Sequence, residues 1–594
     1  MPLAHSGRAE VFLPTVLSLV HGGRPAPEDS VESTPELIYH QGTAMTSAGL
    51  LHTEAGRFVE GDMPWFSLEA ARDAVGAFLS VFKQRSTNDL IILGDFHGFQ
   101  KIFFASVGDG RLLVSDSFLA LVERLRSLGR QVSVDAPSLV GQYGSFNALL
   151  NHHSFSTHTL VEGVQVLRAD EVLHLTGSGL MKRTRSRFID PRGRRHTELL
   201  SDALHRGADM ISASLSWNVA DRVLYLSGGR DSRSVLAMAV AGGIQGDYPV
   251  YAKAPPASGG KFAQKLSIDR AISGQIVDEF GLSLWADEYT VEVASGESER
   301  EWWLSHWGGV MHDYGSPGLG SLTPSLFLIG AMGENYRTKV PDFLGSLPGL
   351  SFEMTESSFD RDFDAFFGRI APRHPGSDGD AWDATRVRFR DSLTYEGVGG
   401  ALWERLDAFS EVFRMSTHFG GVSVERSINR WVLNVLALPE LTYAATRLNR
   451  EERASGRIWQ DLHDLADARL NAIPYEFNAL TADGEYHHSP TGKSRVDWDS
   501  LDVLHEANLK RNTRSVRHHP SRAQPRIDHV ASRRLLTKLR DVIAPAVGNP
   551  RVAHLLDRVD AQSILMKRMR GKLELLDEVC DPRISWNAIR VDLS

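Results

Sequence analysis

The chain is 594 residues long, 42% hydrophobic and 23% charged, with a formal net charge of -9 and one cysteine, Cys580. That length exceeds what a single hydrophobic core supports, so two or more domains are expected. The acidic balance argues against a general binder of nucleic acid or membrane surfaces. The lone cysteine excludes an internal disulfide framework and a cysteine-based metal site, and a reducing cytoplasm is the natural setting.

No stretch approaches the ~20 continuous apolar residues that span a bilayer. The run VFLPTVLSLV (11–20) follows Glu10, is interrupted by Pro14, and is not followed by a clean small-residue cleavage site in HGGRPAP. It reads as an early buried strand rather than a signal peptide. From about residue 37 to 187, short strand-like runs are broken by turn signals, as in LIILGDFHG (90–98), KIFFASVGDG (101–110) and RLLVSDS (111–117). KIFFASV and RLLVSDS, joined through Gly108-Asp109-Gly110, predict a hairpin. This β-rich part predicts packed antiparallel sheets, and RFIDPRGRRHTELL (187–200) reads as a charged linker after them.

Beyond the linker the pattern changes. Thr197 to Trp217 reads as helix, VLYLS (223–227) as strand and SRSVLAMAVAGG (232–243) as a helix ending at glycines. YPVYAKA (248–254) is a second strand and IDRAISGQIVDEFGL (268–282) a second helix. Strands alternating with helices predict a parallel sheet of βαβ units. ALWERLDAFSEVFRM (401–415) and EERASGRIWQDLHDLADARL (451–470) read as helices without intervening strands. LKRNTRSVRHHPSRAQPR (509–526) is basic, lacks apolar periodicity and reads as a loop. No internal repeat of fixed period is present.

The most informative stretch is LYLSGGRDSRSVLAM, from Leu224 to Met238. In a parallel sheet, ligands sit where a strand's carboxyl end turns into a helix. Ser227-Gly228-Gly229 falls at that place, where backbone N–H groups and the helix dipole favour an anion. Ser227 and Ser232 can add hydroxyl donors. Asp231 would repel a phosphate unless a divalent cation lay between them. A tight strand-to-helix turn capped by Asp231 or Ser232 is the plainer alternative.

VLYLSGGRDSRSVL resembles the pyrophosphate-binding SGGxDS loop of the ATP pyrophosphatase group, best known in class B asparagine synthetases and β-lactam synthetases. It is not a Walker loop, and TGKS (491–494) lacks the upstream glycine of one. Further along, LFLIGAMGENYR (326–337) resembles the family's strand followed by a G-x-G-x-D-E turn. Glu334 stands where the family has an aspartate that shares magnesium with the loop aspartate, and Ala331 where it has a carboxylate or a tyrosine. That last departure leaves the catalytic base open. GDFHGFQKIFFAS (94–106) and RLLVSDSFLALVERL (111–125) resemble segments of the glutamine amidotransferase domain.

The resemblance implies a fold and an activity. The fold is a two-domain α/β chain: residues 1–190 form an Ntn-hydrolase-like αββα sandwich, a degenerate amidotransferase, and residues 200–594 form a parallel-sheet, adenine-nucleotide α-hydrolase-like synthetase domain with added helices. The family's glutaminase uses a cysteine at position 2, where this chain has Pro2, so glutamine-dependent chemistry is not expected. The implied reaction uses ATP and Mg2+ to adenylate a carboxylate, releases pyrophosphate and forms an amide with a substrate amine, as in β-lactam or lasso-peptide macrolactam synthetases. Leu226, Ser227, Gly228, Gly229, Arg230, Asp231 and Ser232, with Lys253 and Gly330, are the implied nucleotide contacts. Asp231 and Glu334 are the implied magnesium ligands, and Glu334, Lys493 and Tyr336 the catalytic candidates.

Each has a plainer alternative. Lys253 reads equally as a surface lysine at a strand end, Lys493 as a solvated loop lysine, and Asp269 as the N-cap of the helix it opens. Arg230 and Arg233 reach either phosphate or protein carboxylates, and Tyr336 and Arg337 line an acceptor pocket or merely pack. The pairs His152-His153, His487-His488 and His518-His519 lack metal-site spacing and read as surface residues. The basic 509–526 segment either closes over a nucleotide, binds an acidic peptide or is solvated. Expected partners are small-molecule or peptide carboxylates and amines, with a peptide-delivery protein conceivable, and neither nucleic acid nor membrane. The rival from another class is a catalytically degenerate nucleotide-binding scaffold; ammonia-dependent asparagine synthesis is a third reading.

Overall fold

A computed structural model describes residues 16–20, 35–46, 49–58, 65–108, 111–130, 132, 135, 137–138, 154–217, 219, 221–252, 261–285, 292–293, 318–319, 325–337, 359–370, 379–420, 431–473 and 475. They form a mixed α/β structure with antiparallel and parallel sheets. The first part holds β1 (Val16–Val20), β2 (Glu36–Thr46), β3 (Gly49–Phe58), helix α1 (Leu68–Asp73), β4 (Val75–Lys83), β5 (Leu90–Gly94), β6 (Phe103–Ser106), β7 (Arg111–Ser115), helix α2 (Phe118–Ser127), β8 (Gln165–Val166), β9 (Glu171–Thr176) and β10 (Gly179–Thr184).

Two antiparallel sheets result, in strand orders β1-β7-β6-β8 and β10-β9-β5-β4-β2-β3. The hairpin expected at 101–117 is present, with Phe104 opposite Val114, and Val16–Val20 pairs antiparallel with β7. The period of two sorts β4 into two faces. Leu79 and Val81 meet Phe104, Leu112 and Val114 of the other sheet, whereas Phe78 and Phe82 pack under Phe66 and Ala71. Each such side chain contributes about 1.5–3 kcal/mol on burial, so alternation fixes the register of strands buried on both faces.

The second part begins with α3 (His196–Ser214), then β11 (Asp221–Leu226), α4 (Arg230–Ala241), β12 (Val250–Ala252) and α5 (Lys261–Glu279). It continues with β13 (Glu292–Val293), β14 (Gly318–Leu319), β15 (Ser325–Leu328), α6 (Phe359–Ile370), α7 (Gly379–Asp391) and α8 (Leu402–Phe409), which runs into a π-helical stretch, Ser410–Met415. β16 (Trp431–Leu433), α9 (Pro439–Thr446), α10 (Arg450–Ser455), α11 (Arg457–Ala466) and α12 (Arg469–Ala472) complete it. β12, β11, β15 and β16 form a four-stranded parallel sheet in that order. Leu224 and Leu226 of β11 enter the main core with Val235, Leu236 and Met238 of α4. Helix α3 lies so close to α4 that a Cβ on Gly207 would sit 2.3 Å from the Met238 sulfur.

Three expectations change. The stretch 451–470 is not one helix: Gly456, at φ 77°, breaks it into α10 and α11. Asp269 does not open a helix, since α5 begins at Lys261. The 187–200 segment, read as a charged linker, is packed into the protein at its start. Arg187 is 1% exposed and forms an ion pair with Glu411 at 2.7 Å, and it also hydrogen-bonds His97. His97 in turn bonds the Ala437 carbonyl at 2.9 Å, so the antiparallel and parallel parts share a buried polar contact. Met45, Val75, Phe96 and Phe99 of the first part belong to the same apolar core as β11, β15 and α4. Among the described residues, no helix is long and apolar enough to cross a membrane.

Candidate functional site

Leu226, fully buried, ends β11, and Ser227-Gly228-Gly229 turn the chain into α4, with extended Gly229 as N-cap. The turn is closed by its own side chains. Ser227 N–H donates to Ser232 Oγ at 3.0 Å, Gly229 N–H to Ser227 Oγ at 3.2 Å, and Ser232 Oγ to the Ser227 carbonyl at 3.1 Å. Gly228 N–H donates to Asp269 Oδ1 at 2.5 Å, reaching across to the middle of α5. A Cβ on Gly228 would stand 3.1 Å from Ile272 and 3.2 Å from Asp269, so the close passage of α5 favours glycine there. The N–H groups of Ser227, Gly228 and Gly229 are therefore engaged within the protein. The expectation that backbone N–H groups at this turn favour an anion therefore does not rest on these three.

The second motif lies directly on the first. β15 pairs parallel with β11, so both strands deliver their carboxyl ends to one edge. After β15, a Cβ on Gly330 would meet Asp231 C at 2.5 Å and Ser232 N at 2.6 Å. A Cβ on Gly333 would meet Asp231 Oδ1 at 2.0 Å. Only glycine allows this approach, so the two glycines fit against the first turn of α4. Between them, Met332 is left-handed at φ 79° and wholly buried, an uncommon conformation for a residue with a Cβ. Ala331 N–H reaches Asn434 Oδ1 at 3.4 Å. A 3-10 turn, Gly333–Tyr336, then leaves Glu334 partly exposed. Its two carboxylate oxygens lie 4.0 Å from Arg337 and 4.0 Å from Arg414.

Behind the loop, α11 and the residues after α12 brace α4. Arg233, wholly buried, donates to the carbonyls of Leu470 at 2.8 Å and Ile473 at 2.6 Å, and lies 4.0 Å from the Tyr475 ring. Its role is structural. Ser234 Oγ meets His463 Nε2 at 2.8 Å, and His463 Nδ1 meets the Tyr475 hydroxyl at 2.7 Å. Burial, assisted by the Arg233 charge, pushes His463 down to about 3, so it stays neutral. Arg230 is half-buried beside Tyr475, 5.4 Å from its ring. Burial lowers its pKa, the Tyr475 hydroxyl and Asp231 oppose this, and repulsion from Arg337 adds to it.

Tyr336, a catalytic candidate, is placed in the core instead: it is fully buried, its hydroxyl bonds the Leu436 carbonyl, and it packs edge-on against Trp459. Desolvation raises its pKa well above the usual phenol range. Lys253 and Lys493 lie outside the described residues, as do Pro2, Cys580, the three histidine pairs and the 509–526 segment. Among the described residues no group of three or more His, Cys, Asp or Glu could hold a metal ion. Asp231 and Glu334, both partly exposed carboxylates beside Gly333, could supply one or two ligands to magnesium, which completes its shell with water and substrate phosphate. Arg414 had no sequence signal, because it reaches Glu334 from the π-helical stretch, far along the chain.

No family model and no curated protein matches the chain. Among solved structures, it is similar to a glutamine phosphoribosylpyrophosphate (PRPP) amidotransferase from B. subtilis complexed with ADP and GMP, at 11% identity and a TM-score of 0.12. That match covers 47% of this chain and 48% of the amidotransferase, about half of each. So slight a superposition carries no argument about fold or activity.

Proposed function

We propose that the chain is an ATP-dependent amide-forming ligase of the asparagine-synthetase-like group. In this reading the antiparallel part is a degenerate, Ntn-hydrolase-like amidotransferase domain, and the parallel sheet belongs to a synthetase domain. A substrate carboxylate oxygen attacks the α-phosphorus of ATP, pyrophosphate leaves, and a substrate amine displaces AMP from the acyl carbon. The amine, rather than glutamine, supplies the nitrogen. The substrates are small-molecule or peptide carboxylates and amines in specialised biosynthesis, and the setting is cytoplasmic. The observation that carries the reading is the seating of Gly330 and Gly333 on Asp231, beside the Ser227–Ser232 turn at one edge of the parallel sheet.

Asp231 and Glu334 would hold magnesium, which when bound offsets phosphate charge. The protein's own part is to orient the nucleotide against the loop and to keep the acyl-adenylate away from water. Hydroxylamine trapping tests this: incubation with ATP, magnesium and pooled carboxylates should yield a hydroxamate and AMP. ADP with no hydroxamate would refute it. Aspartate with ammonia, included as one pool, tests the asparagine reading. A second reading, a nucleotide-binding scaffold without turnover, is favoured by the engagement of three loop N–H groups and by the two arginines beside Glu334.

A further inference from the structure

We propose that His97, Arg187 and Glu411 are positioning residues for the 331–336 segment, so that the antiparallel part of the protein sets the geometry of the Asp231–Glu334 site. The inference rests on the proposed nucleotide reading for what that site does, and on packing for how it is held. A buried polar network joins the two places. Arg187 donates to the Phe96 carbonyl, to His97 Nδ1 and, at 2.7 Å, to Glu411 Oε1. Burial, with the Arg187 charge, lowers the His97 pKa well below the usual imidazole range, so the ring is neutral. Its Nδ1 accepts from Arg187, so its proton is on Nε2, which donates to the Ala437 carbonyl at 2.9 Å. Thr442 donates to the same Glu411 oxygen at 3.3 Å. Burial raises the Tyr336 pKa, the Glu411 charge adds to this and hydrogen bonding with Thr442 opposes it, so both groups reach the hydroxyl. That hydroxyl donates to the Leu436 carbonyl. Leu436 and Ala437 are neighbours on one 3-10 turn, Val435–Ala437. One of its carbonyls is thus held from the antiparallel part, and the adjacent one from the turn that carries Glu334. All five side chains, His97, Arg187, Glu411, Thr442 and Tyr336, are buried.

Such a network is a poor way to gain stability. Burying an ion pair costs desolvation that its attraction barely repays, and apolar residues of similar volume often hold a seam as well. What directed hydrogen bonds add is a fixed distance and angle. The segment they reach needs both. Met332 stands at φ 79°, a strained conformation for a residue with a Cβ, and such residues persist where their surroundings over-determine them. Anchors fall on either side of it. Ala331 N–H reaches Asn434 Oδ1 at 3.4 Å, the Asn335 carbonyl accepts from Arg453 at 3.3 Å, and Tyr336 bonds Leu436. Between these anchors Gly333 lies against the Asp231 carboxylate, and Glu334 follows it. Two of the three anchors therefore lie on residues 434–436, next to the carbonyl that His97 holds. Glu411 itself comes from a π-helical stretch, a form frequent at functional sites. Just beyond that stretch, Ser416 Oγ accepts from Lys101 of the antiparallel part at 2.9 Å. A shift of Arg187 or Glu411 has two routes to the 331–336 backbone, one through 434–437 and one through Thr442 and Tyr336.

Hydrogen exchange of the full chain, followed by mass spectrometry, tests the positioning without any substrate. Tyr336→Phe keeps the ring against Trp459 and removes only the hydroxyl. Arg187→Met combined with Glu411→Leu replaces the ion pair by apolar side chains. The reporting amides are those of 331–336, where Ala331 N–H bonds Asn434 and Asn335 N–H bonds the Met332 carbonyl at 2.8 Å. Both variants should exchange there about tenfold faster or more, while β4 and β5 keep wild-type rates. In the ligase assay kcat should fall about tenfold or more with KM for ATP within about twofold, since misplacement costs rate before affinity. If the double variant fails to fold, Tyr336→Phe carries the test. Wild-type exchange at 331–336 in a folded variant would overturn the proposal. Exchange accelerated equally in β4, β5 and 331–336 would also overturn it, because that is the mark of a merely structural role. Faster exchange confined to 331–336, in a protein without carboxylate-dependent turnover, would leave the positioning standing and remove the ligase reading. A working ligase whose variants keep wild-type kcat would do the reverse.

Discussion

Gly333→Ala probes the contact between the two motifs with one methyl group. The new Cβ would lie 2.0 Å from Asp231 Oδ1, 2.1 Å from Cγ and 2.5 Å from Oδ2. Ordinary non-bonded contact begins above about 3 Å, so the carboxylate must retreat by about 1 Å or more, or the 332–336 turn must lift. The clash falls on the far end of a side chain, and swinging it off its rotamer costs about 0.5–1.5 kcal/mol. Stability should therefore drop by only about 1–2 kcal/mol. Function should drop further, since a 1 Å misplacement at a reacting centre costs about a hundredfold in rate. Gly330→Ala is the matched control: its Cβ meets Asp231 C at 2.5 Å and Ser232 N at 2.6 Å, which are backbone atoms that cannot swing aside. It should cost about 3 kcal/mol, at the upper end of overpacking. Urea unfolding of both variants, with magnesium titrations of ATP binding, measures the two effects. A Gly333→Ala protein with wild-type magnesium dependence, or one less stable than Gly330→Ala, would refute the packing argument.

Other consequences follow from the same contacts. Arg187→Met should destabilise by about 3–5 kcal/mol by leaving Glu411 buried without its partner, and adding Glu411→Leu should recover much of this in a double-mutant denaturation cycle. Burial lowers Lys101 to about 7, against the attraction of Asp95 and with added repulsion from Arg187. The unfolded chain binds that proton up to 10.5, so stability should rise with pH from about 7 upward, by at most roughly 5 kcal/mol. The urea midpoint should climb between pH 7 and 9.5 by more in the wild type than in Lys101→Met; equal slopes would exclude the effect. Gly456→Ala forces a side chain to φ 77° and places its Cβ 2.0 Å from Arg230 Nη1. It should cost about 1 kcal/mol in unfolding experiments.

The hairpin 101–117 was legible because its turn carries Gly108-Asp109-Gly110 between two apolar runs, and the pairing of Phe104 with Val114 follows from local chemistry. The strand-turn-helix at 223–243 was legible for the same reason, since glycine punctuation coincides with a change of hydrophobic period. What depended on distant packing was not. Nothing in its neighbourhood says that Asp269 caps the Gly228 N–H from mid-helix. Nor does the charged look of 187–200 disclose that Arg187 is buried against Glu411 and His97. In the second motif, the glycines at 330 and 333 could be read as a turn, but not that both press on Asp231. Met332 takes the left-handed conformation that sequence reasoning reserves for glycine, because its side chain is held in the core. Arg414 was invisible, since a π-helical stretch has no sequence signature and its partner is on another element.

The central claim is tested most directly by ATP–pyrophosphate exchange, run on the full chain and on Asp231→Ala across pools of amino acids and peptides. The account predicts exchange that requires a carboxylate from one pool and disappears in Asp231→Ala. Tight ATP binding with no exchange from any pool, identical in both proteins, would contradict it.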